Sequence, residues 1–186
     1  MMSEQALILV DFQNDYFAEG KWPLKNMEQS AANAAKVLQQ ARKISDFIVH
    51  IRHENPAGDD TPFFAPGTEG AEIHASVAPL SDEPVITKNQ INAFLDTNLR
   101  ELLDAKDIKK LTVMGSMSHM CIDAIVRAAS DFGYAVTVIE DTCSSHDMEF
   151  GGRTVAAEDA HAAFMFALGF GYAEVKKTDD YLNRCA

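Results

Sequence analysis

LTVMGSMSHMCIDAIVRAASDF, residues 111–132, changes its periodicity within a few residues. LTVMG (111–115) is a short apolar and β-branched run, the composition of a strand buried on both faces. Beyond it Ile122, Ile125, Ala129 and Phe132 recur every three or four residues, the spacing of a helix with one apolar face. The same alternation extends outward in both directions. ALILV (6–10), FIVHIR (47–52) and PVITK (84–88) read as strands before it, AVTVIE (135–140) and YAEVK (172–176) as strands after it. Between them lie a helix over 28–44, with Ala34, Val37, Leu38, Ala41 and Ile44 inward, and a short helix over 95–105 facing in with Leu99, Leu102 and Leu103. A third covers 155–168, where AAFMFAL reads as core. Continuous apolar strands alternating with helices predict a mostly parallel six-stranded sheet in a three-layer α/β/α architecture, as one domain over 1–186.

Composition narrows the function. Sixteen Lys and Arg against 28 Asp and Glu leave a net charge of −12, which argues against nucleic acid or an anionic membrane as partner. Three cysteines, Cys121, Cys143 and Cys185, are too few for a disulfide framework and suggest reduced thiols in the cytoplasm. The first residues carry no basic, long apolar leader, and no run is long enough to span a bilayer, so neither export nor a membrane is expected. The glycine groups at 67–70, 151–152 and 169–171 form no phosphate-binding fingerprint, and no GxSxG elbow occurs. His50 and His53 point to opposite faces of a strand, and His74, His119, His146 and His161 show no metal-ligand spacing, so neither metal nor cofactor is expected.

Open parallel sheets bind ligands at the C-terminal ends of their strands. There the first strand ends in Asp11, the third in Lys88, and the fourth turns into the segment holding Cys121. Ser118 reads as an N-cap, which puts Cys121 in the first helical turn, where the helix dipole and a nearby ammonium favour thiolate. A carboxylate beside a thiol supplies a base, and the three residues together suggest nucleophilic catalysis. The irregular stretch from about His53 to Glu83 is long enough to serve a substrate pocket; the alternative is surface decoration with a short helix near 69–75.

Several segments together resemble the isochorismatase-like cysteine hydrolases: LILVDFQNDYF (7–17), VITKNQINAF (85–94), GSMSHMCIDAIVRAA (115–129), VTVIEDTCSS (136–145) and EFGGRTVAAEDAHAAF (149–164). The SHMC block is similar to the branch that includes streptothricin hydrolase. The resemblance implies strand order 3-2-1-4-5-6, a homo-oligomer (dimer or tetramer), and a catalytic triad of Asp11, Lys88 and Cys121. It also implies a cis Ser116–Met117 peptide, with the Met117 and Cys121 amides as oxyanion donors. The implied activity is hydrolysis of an amide, carbamoyl or lactam C–N bond of a small molecule through a thioester. Alternatives are isochorismatase-type or ester hydrolysis on the same scaffold, or a thiol that senses oxidants without turnover. His53-Glu54-Asn55 stands where nicotinamidases carry a metal-binding Asp-Trp-His, so the resemblance implies no metal here. Tyr16, Phe17 and Trp22 are candidates for an aromatic pocket wall, and His53 and Asn92 for substrate contacts. Lys88 would have to reach across two strand spacings, about 10 Å, to join Asp11.

Overall fold

The computed structural model describes residues 4–56 and 61–183. Among them eight strands run β1 (Gln5–Val10), β2 (Phe47–His53), β3 (Val85–Lys88), β4 (Lys110–Ser116), β5 (Ala135–Ser144), β6 (Met148–Phe150), β7 (Arg153–Val155) and β8 (Glu174–Lys176). Five helices accompany them: α1 (Met27–Lys43), α2 (Leu99–Ala105), α3 (Asp123–Asp131), α4 (Ala157–Gly171) and α5 (Thr178–Asn183). Six strands form one parallel sheet in the order β3-β2-β1-β4-β5-β8, so the expected arrangement holds, with β8 as the sixth member.

β1 shows why its sequence is apolar throughout. Ala6, Ile8 and Val10 pack on one face, in a core with Leu99 and Leu103 of α2, Ile125 and Ala129 of α3, and Met165 and Leu168 of α4. Leu7 and Leu9 pack on the other, with Ala34, Val37, Leu38 and Ala41 of α1. Two separate cores make the three layers, and a strand between them has no polar face.

The ends of β1 and β4 approach unusually closely. Gly115 has φ of 133°, and a Cβ built there would lie 1.9 Å from the Val10 carbonyl oxygen. Only glycine fits. The pairing of β4 with β5 slips at this point, from Val113 opposite Val138 to Gly115 opposite Cys143. The bulge carries β5 on to Ser144, past the expected end at residue 140, because Glu140 and Asp141 disguise the continuation as a loop.

Other expectations need correction. The hairpin β6–β7 was not foreseen; Gly151 and Gly152, with φ of 58° and 74°, make its two-residue turn. The AAFMFAL segment is not all core: Met165 and Leu168 are buried, but Phe166 is 74% exposed, as is Phe170 just beyond it at 85%. One face of α4 meets the sheet; the other has no layer above it. Phe132 and Ile44, expected inward, are also exposed, since both lie beyond their helices' last turns. The short helix begins at Leu99 rather than 95, and the helix near 69–75 is two 3₁₀ turns, Glu69–Ala71 and Ala75–Val77. Cys185 and the loop residues 57–60 lie outside the described residues. No described helix is long and apolar enough to cross a membrane.

A polar network ties the end of this loop to the sheet. The Glu83 carboxylate accepts from Arg42 Nε and Nη2 at 2.7 and 2.8 Å, from Leu80 N at 2.9 Å, and meets His50 Nε2 at 3.0 Å. Burial opposes the charge on Glu83, but these donors outweigh it and hold the pKa at about 2. Burial lowers the His50 pKa, so the ring is neutral at pH 7 and donates from Nε2. Glu83→Gln is expected to cost about 2–3 kcal/mol in urea unfolding at pH 7. Because the folded pKa is depressed, that stabilisation is complete above the unfolded carboxylate value of about 4.3 and fades as pH falls toward the folded one. The gap between wild type and variant should therefore narrow when the unfolding is repeated at pH 4.

Candidate active site

Three strand ends converge on one buried point. Asp11 directly follows β1 and takes a left-handed φ of 55°, which Asp tolerates better than most residues. Lys88 ends β3. β4 ends at Ser116, the Ser116–Met117 peptide is cis, and a π-helical turn over Ser118–Ile122 then presents Cys121 ahead of α3. Asp11, Lys88 and Cys121 are 0%, 1% and 3% exposed.

The lysine arm closes the distance that two strand spacings open. Lys88 Nζ lies 2.9 Å from Asp11 Oδ2 and 3.3 Å from Cys121 Sγ. Its third neighbour is His53 Nδ1, at 2.7 Å, from the intervening strand β2. His53 and Lys88 are register partners, so their side chains rise from adjacent strands at the same level. One atom each from Asp11, His53 and Cys121 lie within 4.8 Å of one another, a spacing that suits a metal ion. The Lys88 ammonium stands within 3.3 Å of all three and already supplies positive charge at that point.

Charge follows from this packing. Burial pushes the Cys121 thiol up to about 12, the Asp11 carboxylate adds to the rise, and Lys88 pulls against it. In the enclosed site desolvation and Asp11 thus work against the ammonium that favours thiolate, and they outweigh it. Burial also works against the Lys88 charge, but Asp11 and Cys121 more than offset it, and its pKa ends above the ordinary value. Burial and the Lys88 charge lower the His53 pKa. Asp11 Oδ1 has no hydrogen-bond partner among the described residues, which leaves its lone pairs for a proton.

Ser118 does not cap the helix. The turn is π-helical, and the Ser118 hydroxyl instead donates to the Ser144 carbonyl at 3.2 Å and meets His161 Nδ1 at 2.8 Å. His161 Nε2 in turn lies 3.2 Å from Glu140 Oε2. Ser118 is wholly buried, and this Ser–His–Glu chain ties the Ser118–Ile122 turn to β5 and α4.

Aromatic rings wall the site in an arc. His53 neighbours Phe64 with ring centroids 6.0 Å apart, Phe64 meets Tyr16 at 4.6 Å, and Tyr16 meets Phe63 at 5.9 Å. Phe63 meets Trp22 at 5.1 Å, Trp22 meets His146 at 5.7 Å, and His146 meets His119 at 5.3 Å. The arc thus runs from the buried cluster to Trp22, 38% exposed. The pKa of Tyr16 is raised well above its ordinary value by burial, then by the charges of Asp11 and Cys121, which places its phenol beside the cluster.

Of the proposed wall, Tyr16 and Trp22 belong to this arc. Phe17 does not: it stacks on His74 at 3.7 Å and lines a separate cleft of about 630 Å³ with Asn14, Glu28 and Glu69. Asn92 Oδ1 accepts from Phe94 N at 3.0 Å and so caps the turn after β3. Phe63, Phe64, His119 and His146 were missed. The FF pair lies in a loop without periodicity, and the two histidines, 27 residues apart in sequence, show no spacing that marks a shared wall.

Comparison with known proteins supplies the remaining context. The Isochorismatase domain family matches residues 5–168. The chain belongs to the isochorismatase family. Among curated family members, YddQ of Bacillus subtilis is 46% identical over 178 residues, covering 96% of this chain and 98% of its own. Streptothricin hydrolase of Streptomyces noursei is 32% identical, covering 89% of this chain and 59% of the relative. Maleamate amidohydrolase of Pseudomonas putida is 26% identical, covering 96% of this chain and 85% of its own. A crystal structure described as an isochorismatase hydrolase from Oleispira antarctica superposes with a TM-score of 0.94 at 48% identity, covering 98% of this chain and 99% of the other. The family members are hydrolases, amidohydrolases among them.

Proposed function

We propose that this isochorismatase-family protein is a cysteine amidohydrolase that cleaves a C–N bond of a small amide, ureide or lactam through a thioester. The observation that carries the reading is the enclosed cluster in which Lys88 Nζ stands 2.9 Å from Asp11 Oδ2 and 3.3 Å from Cys121 Sγ. A thiol held near 12 needs a base at the moment of attack, and Asp11 is the carboxylate beside it. In the first half-reaction the thiol proton passes to Asp11 as sulfur bonds to the carbonyl carbon. The C–N bond then breaks, and Asp11 returns the proton to the leaving nitrogen. In the second half Asp11 takes a proton from water, the hydroxide oxygen bonds to the carbonyl carbon, the C–S bond breaks, and sulfur recovers the proton. The sum is amide plus water giving acid plus amine.

Lys88 stays charged throughout and offsets the developing thiolate. The Met117 and Cys121 amides, at the turn that presents the nucleophile, are assigned to the oxyanion. The arc from Phe64 to His119 is built of rings and carries no carboxylate, ammonium or guanidinium, which suits a flat, uncharged substrate. Phe166 and Phe170, exposed with rings 6.2 Å apart, support the expectation of a homo-oligomer.

Ammonia or amine release from a panel of neutral carboxamides, ureides and lactams tests the reading, with mass spectrometry of the quenched enzyme to catch an acyl group on Cys121. Release together with an acylated Cys121 peptide is expected. Release without acylation under rapid quench, or silence across the panel, would count against it.

A further inference from the structure

The Lys88 ammonium has three hydrogens and no access to water, since the residue is 1% exposed. Three acceptors surround it: Asp11 Oδ2 at 2.9 Å, Cys121 Sγ at 3.3 Å and His53 Nδ1 at 2.7 Å. The first two belong to the proposed chemistry. The third is the shortest of the contacts and has no part in that chemistry. A buried ammonium hydrogen without an acceptor is costly, so the third partner bears on where the nitrogen sits.

His53 is itself held in place. Its backbone N donates to Gln13 Oε1 at 2.8 Å, and its carbonyl accepts from Gln13 Nε2 at 2.7 Å. Gln13 is fully buried and also donates to the Ala71 carbonyl at 2.8 Å, so β1, β2 and the 3₁₀ turn at 69–71 lock together around this residue. Phe64 packs against the ring on the aromatic side. With Lys88 donating, Nδ1 must be the unprotonated nitrogen, and the ring is neutral with its hydrogen on Nε2.

We propose that His53 is a positioning residue: its Nδ1 takes the third ammonium hydrogen and thereby fixes Lys88 between the Asp11 carboxylate and the Cys121 sulfur. The catalytic consequence rests on the amidohydrolase reading; the positioning itself does not. Two things follow. Lys88 has no hydrogen left for a leaving group, which assigns that proton to Asp11. His53, placed by sequence among the substrate contacts, acts through Lys88 and not on substrate.

Two substitutions separate these roles. His53→Asn keeps an acceptor at the same distance from the backbone, and His53→Leu removes it. The substrate-independent readout is the rate at which iodoacetamide alkylates Cys121 at pH 8, followed on the Cys121 peptide by mass spectrometry so that other thiols do not interfere. Loss of the acceptor weakens the ammonium's hold on the sulfur and slows alkylation by about tenfold, one unit in the thiol pKa. Turnover of any amide substrate should fall about 10–100-fold in kcat with KM within about threefold, the size seen when an orienting partner is lost. His53→Asn should recover most of both losses. His53→Phe, which keeps a ring against Phe64, carries the expectation of His53→Leu should the latter fail to fold.

The proposal is overturned if the apolar variants alkylate at the wild-type rate, if His53→Asn is as slow as they are, or if KM rises while kcat holds. A wild-type protein inert to every amide would sink the amidohydrolase reading and leave the alkylation comparison standing.

Discussion

Cys121→Ala is expected to abolish turnover, by at least about 10³–10⁴-fold, while the protein stays folded. The side chain lost is small: one sulfur from a site 3% exposed, a cavity cost of about 1 kcal/mol and a Tm shift of a few degrees at most. Activity and stability thus separate, and parallel assays of product release and thermal unfolding check both. Cys143 is the internal control. It too is buried, its thiol is also pushed up to about 12 by burial, and it lies opposite Gly115 in the sheet. What it lacks is the partner set: its sulfur meets the Ile139 carbonyl at 3.5 Å instead of an ammonium. Cys143→Ala should retain activity within about threefold, since it removes no charge-stabilising contact from the reaction. Equal loss in both variants would mean that burial, and not the Asp11–Lys88 environment, selects the functional thiol.

Lys88→Met carries the second large effect, on stability and activity together. Methionine nearly matches the stem in length but carries no charge, so the Asp11 carboxylate, 0% exposed, is left with no cation among its described neighbours. Breaking a buried pair from one side costs about 3–5 kcal/mol, well above the cost of trading one long stem for another. Urea unfolding at pH 7 measures it. The double variant Asp11→Asn/Lys88→Met should recover much of that stability, because no bare charge remains buried. Neither variant should turn over substrate, because the first lacks the ammonium and the second lacks the base as well. Stability of Lys88→Met within about 1 kcal/mol of wild type would show that the ion pair is not the structural tie that its burial implies.

Much of the fold is legible because it is written locally. β1 is apolar on both faces and α1 on one, and those periods identify a strand between two layers and a helix on one of them. Asp11, Lys88 and Cys121 stand out for a similar reason: each follows or ends a recognisable strand, at the edge where parallel sheets place their sites. Misreadings arise where long-range packing overrides a local signal. β5 continues through Glu140 and Asp141 because the bulge opposite Gly115 permits it. Phe166 looks like a core residue but, with Phe170, rides the face of α4 that meets no other layer among the described residues. Ser118 has the right identity for a cap, yet its hydroxyl is claimed by Ser144 and His161, distant in sequence and adjacent in space.

By itself the sequence determined the strand–helix alternation, the sheet edge on which the candidate site falls, and the three side chains proposed to act there, because propensity, periodicity and strand-end position act over a few residues. Only the tertiary structure decided the state of that chemistry. Whether Cys121 rests as thiol or thiolate depends on how completely the cluster is closed to water. Whether Lys88 can span two strands, and that His53 meets it on the way, depends on the register of β2 against β3. The aromatic arc exists only because the loop after β2 folds Phe63 and Phe64 back over Tyr16. Burial and register are sums over the whole chain, and no local window of sequence contains them.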